Sequence, residues 1–257
     1  MDYRKLADTA MLAGTMMLCA GAETNRVEDT MQRILDTSGA ATTEVLVMST
    51  ALMLTIDDPE ISAITKMQRI SDRGTDIGTI CEVNQLSRKY CAGAITLDEM
   101  QAELKRLGET SRYPAWLCYL CTLVTVVMFT LLLGGNGTDA LVSAASAAVM
   151  VLFQILVSGI RLNQFMYHMA ALTCATFFVS TLVGGFSIPC NLELVVAGTA
   201  MPSLPGVAIT NAIRDTLHGD YISGSARVME AFVRAVSCAV GIGIGLSLGS
   251  LLTGGVL

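Results

Sequence analysis

The chain has 257 residues, 53% of them hydrophobic, with a mean hydropathy of +0.58 and a formal net charge of −6. A chain this apolar is not an ordinary soluble domain, and its surplus of acid argues against nucleic acid as a partner. The charge is also unevenly spread, since residues 1–113 hold twelve of the sixteen Lys and Arg and seventeen of the twenty-two Asp and Glu. That division predicts an α-helical integral membrane protein with five transmembrane helices. A small α+β cytoplasmic domain (1–113) precedes the five-span membrane domain (114–257).

In chain order, Leu6 to Cys19 reads as a helix ending near Gly21. A second helix follows from about Thr24 to Asp36, with Thr24 placed to cap it and Glu28 and Asp29 near its positive end. The run 42–58 is rich in Thr, Val and Leu and reads as one or two strands, and 61–70 as another. Ser71, Asp72 and Gly74 form a turn before a helix over 76–91. Thr96 caps a last helix, which Gly108 stops. The order is ααβββαα.

From Tyr113-Pro114 onward the pattern changes to apolar runs, at about 115–133, 140–160, 165–186, 191–210 and 229–252, each long enough to span a bilayer. Arg88, Lys89, Lys105, Arg106 and Arg112 precede the first run and place the N-terminal domain inside. Arg161, Arg214, Arg227 and Arg234 then also fall inside, which leaves the C-terminus outside. The expected location is a bacterial inner membrane. The last run carries Gly241, Gly245 and Gly249 on one face, suited to close helix packing within the bundle or with another protein. Five spans is an odd number, and transporters built from paired inverted repeats would then need a second protein.

The cysteines suggest no disulfide framework. Cys118 and Cys121 lie on an apolar helix without histidine or acidic neighbours, so they read as packing residues. The N-terminus has acids in its first helix and no clear cleavage site, so no signal peptide is expected. No metal-ligand spacing, phosphate loop or Ser/Cys–His pairing appears, and no cofactor or metal is expected.

Between the last two runs, residues 201–230 carry Arg214, Asp215, Asp220, Arg227 and Glu230 among prolines and glycines. Charges at the mouth of a membrane bundle mark candidate pathways, although a loop that merely turns the chain would look similar. Pro205-Gly206 either breaks a span, freeing backbone groups for an ion or a carboxylate, or simply kinks it. Asn211, Arg214 and Asp215 follow on the next turn, where Arg214 can hold a carboxylate and Asp215 can support it or carry a proton. Asp220 suits a turn between Gly219 and Gly224. Arg227, Glu230 and Arg234 share a face and suit an internal salt bridge. Glu193 is either an external proton acceptor or a helix-start carboxylate. In the N-terminal domain, Glu23, Arg26, Glu28 and Asp29 crowd one turn, and Arg73 and Asp76 another. Both knots read as salt-bridged structure or a gate, with hydrolysis as the weaker alternative.

Two stretches, GAETNRVEDT (21–30) and PGVAITNAIRDTLHGDYISGSARVMEA (205–231), are similar to motifs of the threonine/serine exporter family. RGTDIGTICEVNQL (73–86) and the Tyr-Pro-x-Trp of 113–116 support the likeness, which covers nearly the whole chain. In length the chain resembles the larger subunit of the split, two-component exporters rather than the fused members, which continue into a second membrane half. The resemblance implies export of small polar metabolites, threonine and serine for fused members and succinate-type dicarboxylates for split ones. It also implies a smaller multi-span membrane partner. The rival readings are a membrane-anchored enzyme or a sensor acting through the cytoplasmic domain.

Overall fold

A computed structural model describes residues 2–59, 61–71, 73–109, 113–160 and 162–254. Asp72, Arg112 and Arg161, used above for a turn and for orientation, lie outside them. The chain forms two compact units, Met1–Ser111 with Gly206–Met229, and Arg112–Pro205 with Glu230–Leu257.

In the first unit, α1 (Tyr3–Cys19) starts where Asp2 accepts the N–H of Lys5 at 3.0 Å, which satisfies an otherwise orphaned donor. Helix α2 covers Thr24–Asp36, and Glu23 at its N-cap makes no side-chain cap. Strands β1 (Thr42–Met48), β2 (Ala51–Asp58) and β3 (Ile61–Arg69) form an antiparallel meander, with Met48 opposite Ala51 across a two-residue turn. Val45, Val47, Leu52, Leu54 and Ile56 alternate to one face and are buried, as a half-covered sheet requires. Helix α3 (Ile77–Cys91) is capped by Asp76, which accepts the N–H of Thr79 at 3.0 Å.

Helix α4 (Leu97–Glu109) opens on a reciprocal box. The Thr96 N–H donates to Glu99 at 2.7 Å, and the Glu99 N–H donates to the Thr96 hydroxyl at 3.3 Å. The Thr96 N–H, and after it the Thr96 hydroxyl at 2.9 Å, donate to the Glu99 carboxylate and hold it below the usual carboxylate range. Gly108 lies inside α4 rather than ending it. Leu6, Met17 and Leu18 of α1 pack with Met31, Ile34 and Leu35 of α2, β2, and Met100 and Leu104 of α4 in one core. Each such side chain contributes about 1.5–3 kcal/mol by leaving water.

The second unit holds α5 (Ala115–Leu132), α6 (Gly137–Val157), α7 (Gln164–Phe186), α8 (Leu192–Ala200) and a 3₁₀ turn over Met201–Ser203. The remaining helices are α9 (Gly206–Leu217), in the first unit, and α10 (Tyr221–Leu252), which passes from the first unit into the second at Met229–Glu230. Among the described residues, four helices are long and apolar enough to cross a membrane, or five if Leu192–Ser203 and Gly206–Leu217 count as one broken span. The apolar run expected over 191–210 is therefore divided into α8, the 3₁₀ turn and the start of α9. The run expected from 229 is the later part of a helix that starts eight residues earlier. Val124, Met128, Leu132, Leu152 and Leu156 lie exposed, a surface that suits lipid and not water.

Several polar groups inside this unit are paired close by, whereas Nδ1 of His168 and the Ser180 hydroxyl are buried without a hydrogen-bond partner. Asn136 caps α6 in a box with Asp139, whose other oxygen accepts the Asn191 N–H at 2.7 Å at the head of α8. The Thr199 hydroxyl donates to its own helix and meets Ser146 at 2.9 Å. The glycine face of α10 lies against α7. A Cβ added at Gly241, Gly245 or Gly249 would come within 2.4 Å of the Met169 carbonyl, 2.0 Å of the Thr176 hydroxyl and 2.2 Å of the Ser180 hydroxyl respectively. The close approach expected of this face is thus made within the unit.

Candidate functional site

Helix α9 begins directly after Pro205, which has no N–H to continue a preceding helix, and it is inside out for a soluble element. Asn211, Ala212 and Asp215 are buried, whereas Val207, Ile209, Ile213 and Leu217 are exposed. The polar stripe therefore faces protein. Gly219, at φ +95°, reverses the chain, and α10 starts two residues later. Gly224 has no room for a Cβ, which would sit 2.2 Å from the Thr216 hydroxyl, so α9 and α10 approach closely here.

The buried stripe grips the turn between α1 and α2. Asn211 donates to the Gly21 carbonyl at 2.8 Å. One oxygen of Asp215 accepts the backbone N–H of Thr24 at 3.1 Å and its hydroxyl at 2.8 Å. The other oxygen faces Nε of Arg227 at 2.8 Å, an ion pair whose N–H is turned off the line of a good hydrogen bond. Arg227 also donates through Nη2 to the Ala22 carbonyl at 2.8 Å. Both charged side chains are at most 5% exposed, so water screens their attraction little. The Thr24 hydroxyl also lies 3.0 Å from Asp220, so one hydroxyl proton serves two carboxylates. Arg214 pairs with Glu23 on the surface side of the same turn.

Two further segments join. Gly74 and Asp76 donate backbone N–H groups to the carbonyls of Cys19 and Ala20 at 2.8 and 2.9 Å. Gly21 sits at φ +86°, and a Cβ there would lie 2.6 Å from the Gly74 carbonyl, so this crossing needs glycine on both counts. The Ser49 N–H, in the β1–β2 turn, donates to the Ser223 hydroxyl at 3.2 Å. The stretches 19–24, 73–76 and 211–227 thus meet at one place. The Glu28 carboxyl is raised above its ordinary range, first by burial and next by the charge of Asp220, with Glu44 adding to it and the Val47 N–H opposing.

The structure reassigns several sequence-predicted partners. Asp215 turns to Arg227, and Arg214 to Glu23, so these chain neighbours serve different contacts. Glu230 lies 3.6 Å from Arg234, one helical turn further on, and Arg234 also donates to Gln164 at 2.5 Å. Thr24, expected as a cap, spends its hydroxyl on the two aspartates. Asp29 pairs with Arg33 at 2.8 Å, Arg26 is exposed, and Arg73 lies in the loop before α3. Glu193 is exposed in the first turn of α8, beside a shallow depression with Asn136 and Cys190. Pro205 is buried and Gly206 exposed at the junction of the units. Among the described residues no group of three or more His, Cys, Asp or Glu is placed to hold a metal ion. Sequence signals mark Thr24 only as a helix cap and carry nothing about the carbonyls of Gly21 and Ala22.

Comparison with known proteins bears on the whole chain. Residues 8–249 match the family described as "Putative threonine/serine exporter". A "Probable succinate transporter subunit YjjP" of Klebsiella aerogenes is 28% identical over 97% of this chain and 96% of its own length. Its namesake in Escherichia coli K12 is 25% identical over 97% of both chains. A "Probable threonine/serine exporter" of Mycobacterium tuberculosis is 22% identical over 95% of this chain but only 46% of its own length. No solved structure matches. These names are those of transporters rather than enzymes, and they agree with the multiple apolar helices. On this match the chain belongs to the threonine/serine exporter family.

Proposed function

We propose that the chain is the larger subunit of an inner-membrane exporter. It would expel succinate-type dicarboxylates or threonine/serine-type amino acids together with a smaller multi-span membrane protein. The observation that carries this reading is the end-to-end likeness to proteins named as transporter subunits, including coverage of nearly their full length. The share of the longer exporter that this chain matches, 46%, fits a half that needs completion. In this reading residues 1–113 are cytoplasmic, the C-terminus is outside, and the broken span at Pro205-Gly206 leads into the coupling segment.

The knot around Asp215 gives that segment its chemistry. Asp215 and Asp220 share one hydroxyl proton, Glu28 lies within the field of Asp220, and Arg227 supplies a buried positive charge. The ion pair and the bonds to Thr24 and Ala22 fasten α9 and α10 to the turn at 21–24. Arg214, on the accessible side, can exchange Glu23 for a substrate carboxylate.

The test is counterflow in proteoliposomes with labelled succinate, threonine and serine, using this chain alone, the partner alone, and both. Flux that needs both chains and is lost in Asp215→Asn supports the proposal. No flux with both proteins folded and inserted would overturn it for these substrates and favour a sensor or enzyme.

A further inference from the structure

A groove between α2 and α3 lies beside the knot and is not used by it. One part, about 390 Å³, is lined by Glu23, Asn25, Arg26, Asn84 and Arg88 among others. Asp29, Asn84 and Arg88 also line a second part of about 400 Å³ that reaches Arg33, so the two are continuous. Its acids are already engaged, Asp29 by Arg33 at 2.8 Å and Glu23 by Arg214. Among the described residues, Arg26 and Arg88 have no ion-pair partner, and the side-chain amides of Asn25 and Asn84 make no hydrogen bond.

The groove therefore presents two uncompensated guanidinium groups and two free amides in a chain whose net charge is −6. A guanidinium fork matches a carboxylate through two parallel hydrogen bonds, and an amide can donate a further one. Two such forks in one groove match a dianion better than a monoanion. The volume suits a small metabolite with some water. No aromatic side chain lines the groove among the described residues, so nothing is present to stack a nucleobase.

We propose that this groove is a sensing site for a small dicarboxylate, with one carboxylate on Arg26, the other on Arg88, and Asn25 and Asn84 fixing the orientation. Glu23 gives the site a physical link to the knot. A ligand carboxylate at the Arg26 end repels Glu23 and weakens its hold on Arg214, the chain neighbour of Asp215.

The inference rests on the exporter reading only for the choice of ligand. The experiment is calorimetric titration of the full chain in detergent with succinate, and in parallel with propionate, threonine and inorganic phosphate. One succinate should bind per chain, with affinity falling about tenfold or more in Arg26→Gln or Arg88→Gln and for propionate on the wild type. Both arginines are exposed, so the variants should melt with the wild type; Arg26→Lys, which keeps charge but loses the fork, should fall between. No succinate binding by the wild type, or unchanged affinity in folded variants, overturns the proposal. Phosphate binding as tight as succinate overturns the dicarboxylate assignment in favour of a general anion site. Groove-dependent binding without counterflow fails the exporter reading and leaves this one standing, and counterflow without groove-dependent binding does the reverse.

Discussion

The carboxylate of Asp215 takes both the backbone N–H and the hydroxyl of Thr24, a residue 191 positions earlier in the chain, while its second oxygen faces Arg227. Removing one member of this buried set takes a contact from each of the others. Asp215→Ala takes a paired carboxylate from a buried guanidinium and should lower stability by about 3–5 kcal/mol. Asp215→Ala with Arg227→Met removes both halves of the pair and should cost clearly less than the two single changes added together. Thermal unfolding of the detergent-solubilised protein, read as a double-mutant cycle, measures this coupling. Additive losses would show that the two charges do not depend on one another.

Thr24→Val separates hydroxyl from backbone at the same place. The N–H bond to Asp215 survives, but both aspartates lose their shared hydroxyl donor, and the expected loss is about 1–3 kcal/mol. A simple helix cap would give less, since neither aspartate would lose a hydrogen-bond donor. Thr24→Ser, which keeps the hydroxyl, should recover most of the loss. Melting curves of the two variants beside the wild type decide between the roles.

Local signals in the sequence located the elements well, and long-range partners poorly. The ααβββαα order followed from capping residues and period-two alternation, which act over a few residues; the cap at Thr96 is where those signals put it, whereas Asp76, expected as the first residue of a helix, caps α3 instead. Arg214 and Asp215 were read together because they are adjacent. On a helix adjacent residues point about 100° apart, so one met Glu23 and the other Arg227. Thr24 looked like a cap because a Thr at a helix start usually is one. The signal that it does something else was its place in GAETNRVEDT, beside a chain stretch whose charges needed partners. The start of α10 was misplaced because Arg227 and Glu230 resemble a boundary when only hydropathy is weighed.

Glu28 gives the pH dependence a sign. Its folded-state carboxyl is raised by burial and by Asp220, so the folded chain holds this proton more tightly than the unfolded chain. Stability from this group is therefore present at low pH and falls as pH rises from the ordinary glutamate value through the raised one. Glu28→Gln removes the penalty and should raise the melting temperature at pH 8, with the gain shrinking as pH falls below the ordinary range. A gain of equal size at both ends would show that charge at residue 28 is not the cause.

The last prediction concerns the face shared by α7 and α10. Gly245 and Gly243 lie two residues apart on one helix and differ in what a Cβ would meet. At Gly245 it would fall 2.0 Å from the Thr176 hydroxyl and 2.7 Å from the Thr173 carbonyl, whereas at Gly243 nothing lies within 4 Å. Gly243→Ala should be neutral or stabilising by about 0.5–1 kcal/mol, because alanine favours a helix. Gly245→Ala forces the helices apart and should cost about 1–3 kcal/mol. Adding Thr176→Ala relieves the hydroxyl clash but not the carbonyl one, so rescue should be partial. Melting temperatures of the three variants in the same detergent check the order, and equal behaviour of the two glycines would mean that α7 and α10 are not in close contact at this level.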